Sequence, residues 1–169
     1  MIDLKYKWYP VYTRSRAEKK AYQELQKKGI EVFLPLKKEL KQWSDRKKLI
    51  EEPLFKSYIF VHISSKEYTE VLMTQGIARF LYFSSKIAVM PDKQMEDLKL
   101  LLATEDDLEL IEHEVKTGEK VLINAGPFKG MLAELVSVKS KKSLVLRLDH
   151  LGYALEIKTS MAFIEPVKL

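Results

Sequence analysis

The sequence predicts an α+β protein of two modules, with helices packed on a largely antiparallel sheet in front and a small β-barrel behind. Three observations carry this expectation. Strand-type and helix-type segments interleave over residues 1–103 in the order β, α, β, hairpin, β, α, β, β, α. From Gly118 onward helical periodicity disappears, and short apolar runs (VLI, LAELVSV, LVLRL, YALEI, FIEPV) recur between turn residues at roughly the 8–12-residue spacing of a small barrel. Between them lies the stretch TEDDLELIEHEVK, residues 104–116, too acidic to be buried whole, although Leu108, Leu110 and Ile111 give it some means of docking on a neighbour.

In the front module, WYPVYT (8–13) has the aromatic and β-branched content of a strand, and Pro10 confines it to an edge or to a place where no N–H is needed. Ser15 with Glu18 reads as a capping box. Ala17, Ala21 and Leu25 follow at helical spacing, and Gly29 stands where the helix should stop. Residues 30–36 form a second strand, and the charged segments around Trp43 and Lys47 an exposed hairpin with a basic tip. SYIFVHI (57–63) is apolar on both faces, as a central strand requires. A second capping pair, Ser64 and Glu67, opens a helix that Gly76 closes. Short strands near 79–83 and 87–90 lead to Pro91, after which Met95, Leu98 and Leu102 mark a third amphipathic helix.

Composition narrows the function classes. With 169 residues and 46% hydrophobic content the chain should fold, and no segment reaches the roughly 18 apolar residues of a membrane helix, so a soluble cytoplasmic protein is expected. There is no cysteine, and His62, His113 and His150 are scattered without ligand spacing. No metal, no cofactor and no catalytic residue is expected, because nothing resembles a nucleophile with its base or a phosphate-cradling loop. Residues 1–52 carry 14 Lys/Arg against 8 Asp/Glu, residues 101–114 carry 6 acidic and no basic residues, and residues 115–169 carry 9 against 5. Two basic modules joined by an acidic stretch fit polyanion partners, or simply solvated lysine-rich surfaces.

The segment WYPVYTRSRAEKKAYQEL, followed some way on by EEPLFKSYIFV, resembles the N-terminal domain of NusG family transcription factors. GEKVLINAGPFKGMLAELVSV resembles the KOW motif, in which Gly126, Pro127, Phe128 and Gly130 form one compact turn. The PLF-x-x-Y entry is closer to the specialised RfaH-type and UpxY-type antiterminators than to the housekeeping factor. It carries Lys56 where those paralogues commonly have proline, and Ser57 where housekeeping members usually have glycine.

The resemblance implies a domain plan of 1–103 (polymerase-binding), 104–116 (acidic linker) and 117–169 (KOW). It implies that Tyr12, Phe55, Tyr58, Met95 and Leu98 line an apolar cavity for the clamp helices of RNA polymerase's largest subunit. Without it, Tyr58 is equally well a core residue. The resemblance further implies that Arg14, Arg16, Lys19 and Lys20, with Thr74 and Gln75, approach the non-template DNA strand, where charge alone would leave them ordinary solvated residues. The KOW module would recruit the ribosome or termination factor Rho. The function expected is a monomeric, non-membrane elongation factor that suppresses pausing and termination in an operon-specific way, such as on a capsular or other polysaccharide operon. The alternatives are a housekeeping NusG and a KOW-type ribosomal RNA-binding protein. The punctuation of residues 115–169 by glycine and proline favours β structure there, with the Phe55 surface left open.

Overall fold

The structure is a computed structural model that describes residues 2–104, 109–111, 117–138, 140–148 and 151–167. It divides into two compact units, Met1–Asp92 and Lys93–Leu169.

In chain order the first unit holds β1 (Lys7–Thr13), α1 (Glu18–Lys27), β2 (Glu31–Phe33), β3 (Leu36–Gln42), β4 (Lys47–Pro53) and β5 (Tyr58–Ile63). A 3-10 turn (Ser65–Glu67), α2 (Tyr68–Leu72), β6 (Ile77–Phe80), β7 (Tyr82–Phe83) and β8 (Lys86–Ile87) follow. The main sheet is antiparallel in the order β2-β5-β1-β6. SYIFVHI is interior as expected, and so is β1 despite Pro10. The Pro10 carbonyl accepts from the Leu81 N–H at 3.2 Å. The proline nitrogen therefore points to the same flank, and the β1–β5 ladder loses no donor.

Side chains alternate along these strands and give the sheet two different faces. Tyr9, Val11, Ile59, Val61, Ile63, Ile77 and Phe80 face inward and close with Ala21 and Leu25 of α1 and Val71 of α2 into the core of this unit. The opposite face carries Trp8, Pro10 and Tyr12 of β1, each directly across from His62, Phe60 and Tyr58 of β5.

The helix ends follow local chemistry. At the end of α1 the Ile30 N–H reaches the Leu25 carbonyl at 3.1 Å and the Gly29 N–H reaches Gln26 at 3.0 Å, a Schellman closure that puts Gly29 at φ 74°. The Ser64–Glu67 capping box forms as expected, and the Ser64 and Tyr6 hydroxyls bonded to Glu67 hold its carboxyl below the usual range. The Ser15–Glu18 box does not form: α1 starts after Ala17 with no side-chain cap. The reason is that Arg16 sits at φ 58° and Glu18 is turned away, its Oε1 accepting the Ser57 N–H at 2.8 Å. β3 and β4 form the anticipated hairpin, paired from Leu36↔Pro53 to Gln42↔Lys47, with Leu40, Leu49 and Trp43 exposed.

The second unit takes α3 (Asp92–Thr104) from Lys93 onward, then β9 (Leu110–Ile111), β10 (Glu119–Ile123), β11 (Leu132–Val138), β12 (Lys141–Leu148), β13 (Tyr153–Glu156) and β14 (Ile164–Pro166). These strands make one antiparallel sheet in the order β14-β10-β11-β12-β13-β9. The KOW region is thus the expected run of antiparallel β structure, and among the described residues no ladder joins β14 to β9, so the barrel is not closed there. Closure requires enough paired length at the two edges, and these edge strands are only three and two residues long. Within the acidic linker, residues 105–108 and 112–116 lie outside the described residues, while Leu110 and Ile111 dock as β9 on β13, with Ile111 against Val136, Val145 and Ala154.

Candidate functional site

The aromatic face of the first sheet is a set of cross-strand pairs. Tyr12 and Tyr58 lie 4.5 Å apart between ring centroids, and Trp8 stacks on His62 at 4.9 Å. Phe60 between them takes Phe55 edge-on at 6.3 Å. Pairs of this kind follow from aromatic residues at alternate positions on antiparallel neighbours in register. Tyr12 and Tyr58 are half-buried, whereas Phe55 is 1% exposed. The Phe55 ring itself is turned in. Met95 and Leu98 are buried as well, on α3 in the second unit.

The loop entering β5 is strained and clasped. Ser57 has φ 64°, in the left-handed region that glycine tolerates and serine does not. Its N–H is held by Glu18, only 7% exposed, and its carbonyl accepts from the Thr13 N–H at 2.9 Å. Phe55 and Tyr58 therefore owe their placement to a carboxylate on α1. Sequence reading assigned Glu18 to a helix cap, because a first-turn glutamate three residues after a serine is the usual signature of one.

The basic candidates collect at one end of this unit. Arg14, Arg16, Lys19 and Lys20 are exposed, and the Lys19 Nζ reaches the Glu51 carbonyl at 2.7 Å. Arg16, Lys19 and Lys56 line an open cavity of about 670 Å³, together with Ser15, Glu18, Glu52, Pro53 and Ser57. The Arg14 N–H donates to the Gly76 carbonyl at 2.8 Å, which brings the 74–76 turn beside the end of β1. Gln75 is exposed there. Thr74 is buried, its hydroxyl donating to the Glu70 carbonyl at 2.7 Å and accepting from Lys28 at 3.1 Å.

In the second unit the KOW segment is the compact turn its residues suggest. Phe128 is buried, Gly130 at φ 91° donates to the Ile123 carbonyl at 2.8 Å, and the Phe163 ring stands where a Cβ on Gly126 would meet it at 3.2 Å. This turn also holds α3. Lys93 Nζ bonds Asp97 Oδ1 at 2.6 Å and the Gly130 carbonyl at 2.8 Å, and Asp97 Oδ2 accepts the Leu132 N–H at 3.3 Å. Asp97 is 3% exposed. Nothing in the sequence separates it from the other charges of that helix, so this clasp was not legible in advance.

Among the described residues no cluster of His, Asp or Glu has the grouping of a metal site, and no helix is long and apolar enough to cross a membrane. Arg79 is the residue on the aromatic face that sequence reading missed. Its guanidinium lies 4.5 Å above the centre of the Tyr12 ring, and only the sheet order reveals that β6 runs beside β1.

Similarity to known proteins agrees with this architecture. NusG of Staphylococcus carnosus, a transcription termination/antitermination protein, is 24% identical over 94% of this chain and 94% of its own length. A solved structure described as domain interaction in Thermotoga maritima NusG covers 97% of this chain and 98% of that one, at a TM-score of 0.50 and 20% identity, a likeness of fold. The sequence model of the family described as "Transcription termination factor nusG" matches residues 6–99. With more than half of the chain matched by this family model, the chain belongs to the NusG family of transcription termination and antitermination factors.

Proposed function

We propose that this chain is an elongation factor that binds RNA polymerase through residues 1–103, spans from the clamp helices of the largest subunit across the DNA channel, and suppresses pausing and termination. The observation that carries this reading is the half-exposed Tyr12–Tyr58 pair on an aromatic sheet face, since aromatic groups around a depression are what a helix-in-groove interface uses. Phe55 of the same unit completes the apolar set in this reading. The exposed cations Arg14, Arg16, Lys19 and Lys20, with Gln75, approach the non-template strand. Residues 104–116 act as linker, and the KOW module (117–169) recruits the ribosome or Rho. The monomer works by population shift, which requires only tighter binding to the closed, processive polymerase than to the open, paused one.

The PLF-x-x-Y entry favours an operon-directed antiterminator. A housekeeping role is favoured by the S. carnosus relative, which is matched over nearly its whole length. Transcript mapping after gene removal separates the two: loss of distal transcription in one long operon supports the specialised role, and diffuse change across many genes the housekeeping one.

The docking surface is tested with Tyr58→Ala in the full-length chain, because Phe55→Ala at a fully buried site would itself remove about 3–5 kcal/mol of folding stability. Tyr58→Ala should weaken polymerase binding by about 2 kcal/mol, as for an aromatic hot spot. A variant that keeps its circular dichroism spectrum and binds as well as wild type would show that the surface lies elsewhere.

A further inference from the structure

Tyr12 sits in the middle of a row that crosses three strands, paired with Tyr58 of β5 on one side and with Arg79 of β6 on the other. The Arg79 guanidinium covers the ring at 4.5 Å from its centroid, and the Tyr58 ring leans on it from the opposite strand at 4.5 Å with a 39° tilt. Both faces of Tyr12 are therefore taken, and no nucleobase can stack on it as bases do on open aromatic platforms. What the row offers outward is polar. Arg79 is exposed on an edge strand, and among the described residues its guanidinium lies over the Tyr12 ring with no hydrogen bond or ion pair to a carboxylate or carbonyl.

From this we infer that Arg79 is a specificity-determining contact of the same aromatic face, taking a carboxylate side chain from the polymerase segment that docks there; the inference rests on the polymerase-binding reading above. The argument is one of charge and preorganisation. The other residues of this unit assigned to the surface, Tyr12, Phe55 and Tyr58, carry no charge and set depth and area but not direction. A guanidinium held flat on a ring keeps its in-plane N–H edge available for a two-point bond to a carboxylate, and loses little rotamer freedom when that bond forms. A carboxylate placed to meet it fixes the azimuth of an otherwise apolar helix, and a helix lacking that carboxylate leaves the cation desolvated and unmatched. Lysine stacks on a ring but lacks the planar fork, so it supplies the charge without the geometry.

The experiment uses the full-length protein and purified core RNA polymerase without nucleic acid, with Arg79→Gln, Arg79→Lys and Tyr58→Ala compared by equilibrium binding. A single-stranded oligonucleotide is titrated separately, and thermal melts confirm that each variant folds. Arg79→Gln should weaken polymerase binding about tenfold, Arg79→Lys by less, and neither should change oligonucleotide affinity. If Tyr58→Ala loses affinity while both Arg79 variants bind as wild type, the carboxylate contact is wrong and the docking surface stands. Should Arg79→Gln lose oligonucleotide affinity and keep polymerase affinity, the group it meets is a phosphate and the inference fails. If Tyr58→Ala and Arg79→Gln both bind polymerase as wild type, the docking reading itself fails and takes this contact with it.

Discussion

Ser57 occupies φ 64°, where an L side chain crowds its own carbonyl, and the Glu18 carboxylate grips its N–H at 2.8 Å. The strain and the clasp act in opposite directions on one peptide. Replacing Ser57 by glycine removes the strain and keeps the N–H, at the cost of a more flexible unfolded chain. Ser57→Gly should therefore stabilise the protein by about 0.5–1 kcal/mol, read as a rise in denaturation midpoint at unchanged slope. Lowered stability would mean that the serine hydroxyl does more than the backbone argument allows. The position was visible in the sequence as a departure from the glycine usual in relatives. Its angle was not, because φ at a loop residue is set by the strand it enters and the helix it leans on. Glu18 was misread for the same reason: a serine three residues upstream is a local signal, and a backbone N–H thirty-nine positions downstream leaves none.

Among the elements, α3 is the one that sequence likeness and packing sort differently. Likeness to the family runs through residue 99 and takes most of α3 with the front module, while compactness divides the chain after Asp92 and gives α3 to the second unit. The two divisions answer different questions, one of descent and one of contact, and the buried Asp97 clasp explains the second. Asp97→Ala leaves the Leu132 N–H and the Lys93 ammonium without their acceptor, and should cost about 1–3 kcal/mol. Hydrogen exchange at the Leu132 amide should accelerate with it. An unchanged Leu132 rate together with unchanged stability would show that other contacts hold α3. The strands, by contrast, were well read. SYIFVHI, apolar on both faces, was read as a central strand and is one, with Ile59 and Val61 in the core and Tyr58 on the other face. Strand order needs tertiary information, and Arg79 was missed on that account.

For the whole molecule, the two-module plan was legible because composition changes with architecture: glycine-punctuated β runs behind, interleaved helices and strands in front. Whether the rear strands close was not legible, since closure depends on the pairing of short edges such as Leu110–Ile111 and Ile164–Pro166. The β3–β4 hairpin was foreseen as exposed, and its tip has an optical consequence. The chain contains two tryptophans; Trp8 is 6% exposed and stacked on His62, and Trp43, at the hairpin turn, is 54% exposed. Their emission should resolve into two populations, a red-shifted one quenched readily by acrylamide and a bluer one shielded from it. Trp43→Phe should abolish the quenchable part and leave the other, and a single uniform quenching curve for the wild type would contradict this pair of environments. The hairpin thus carries its own fluorophore, whose colour reports what touches the tip with no label attached.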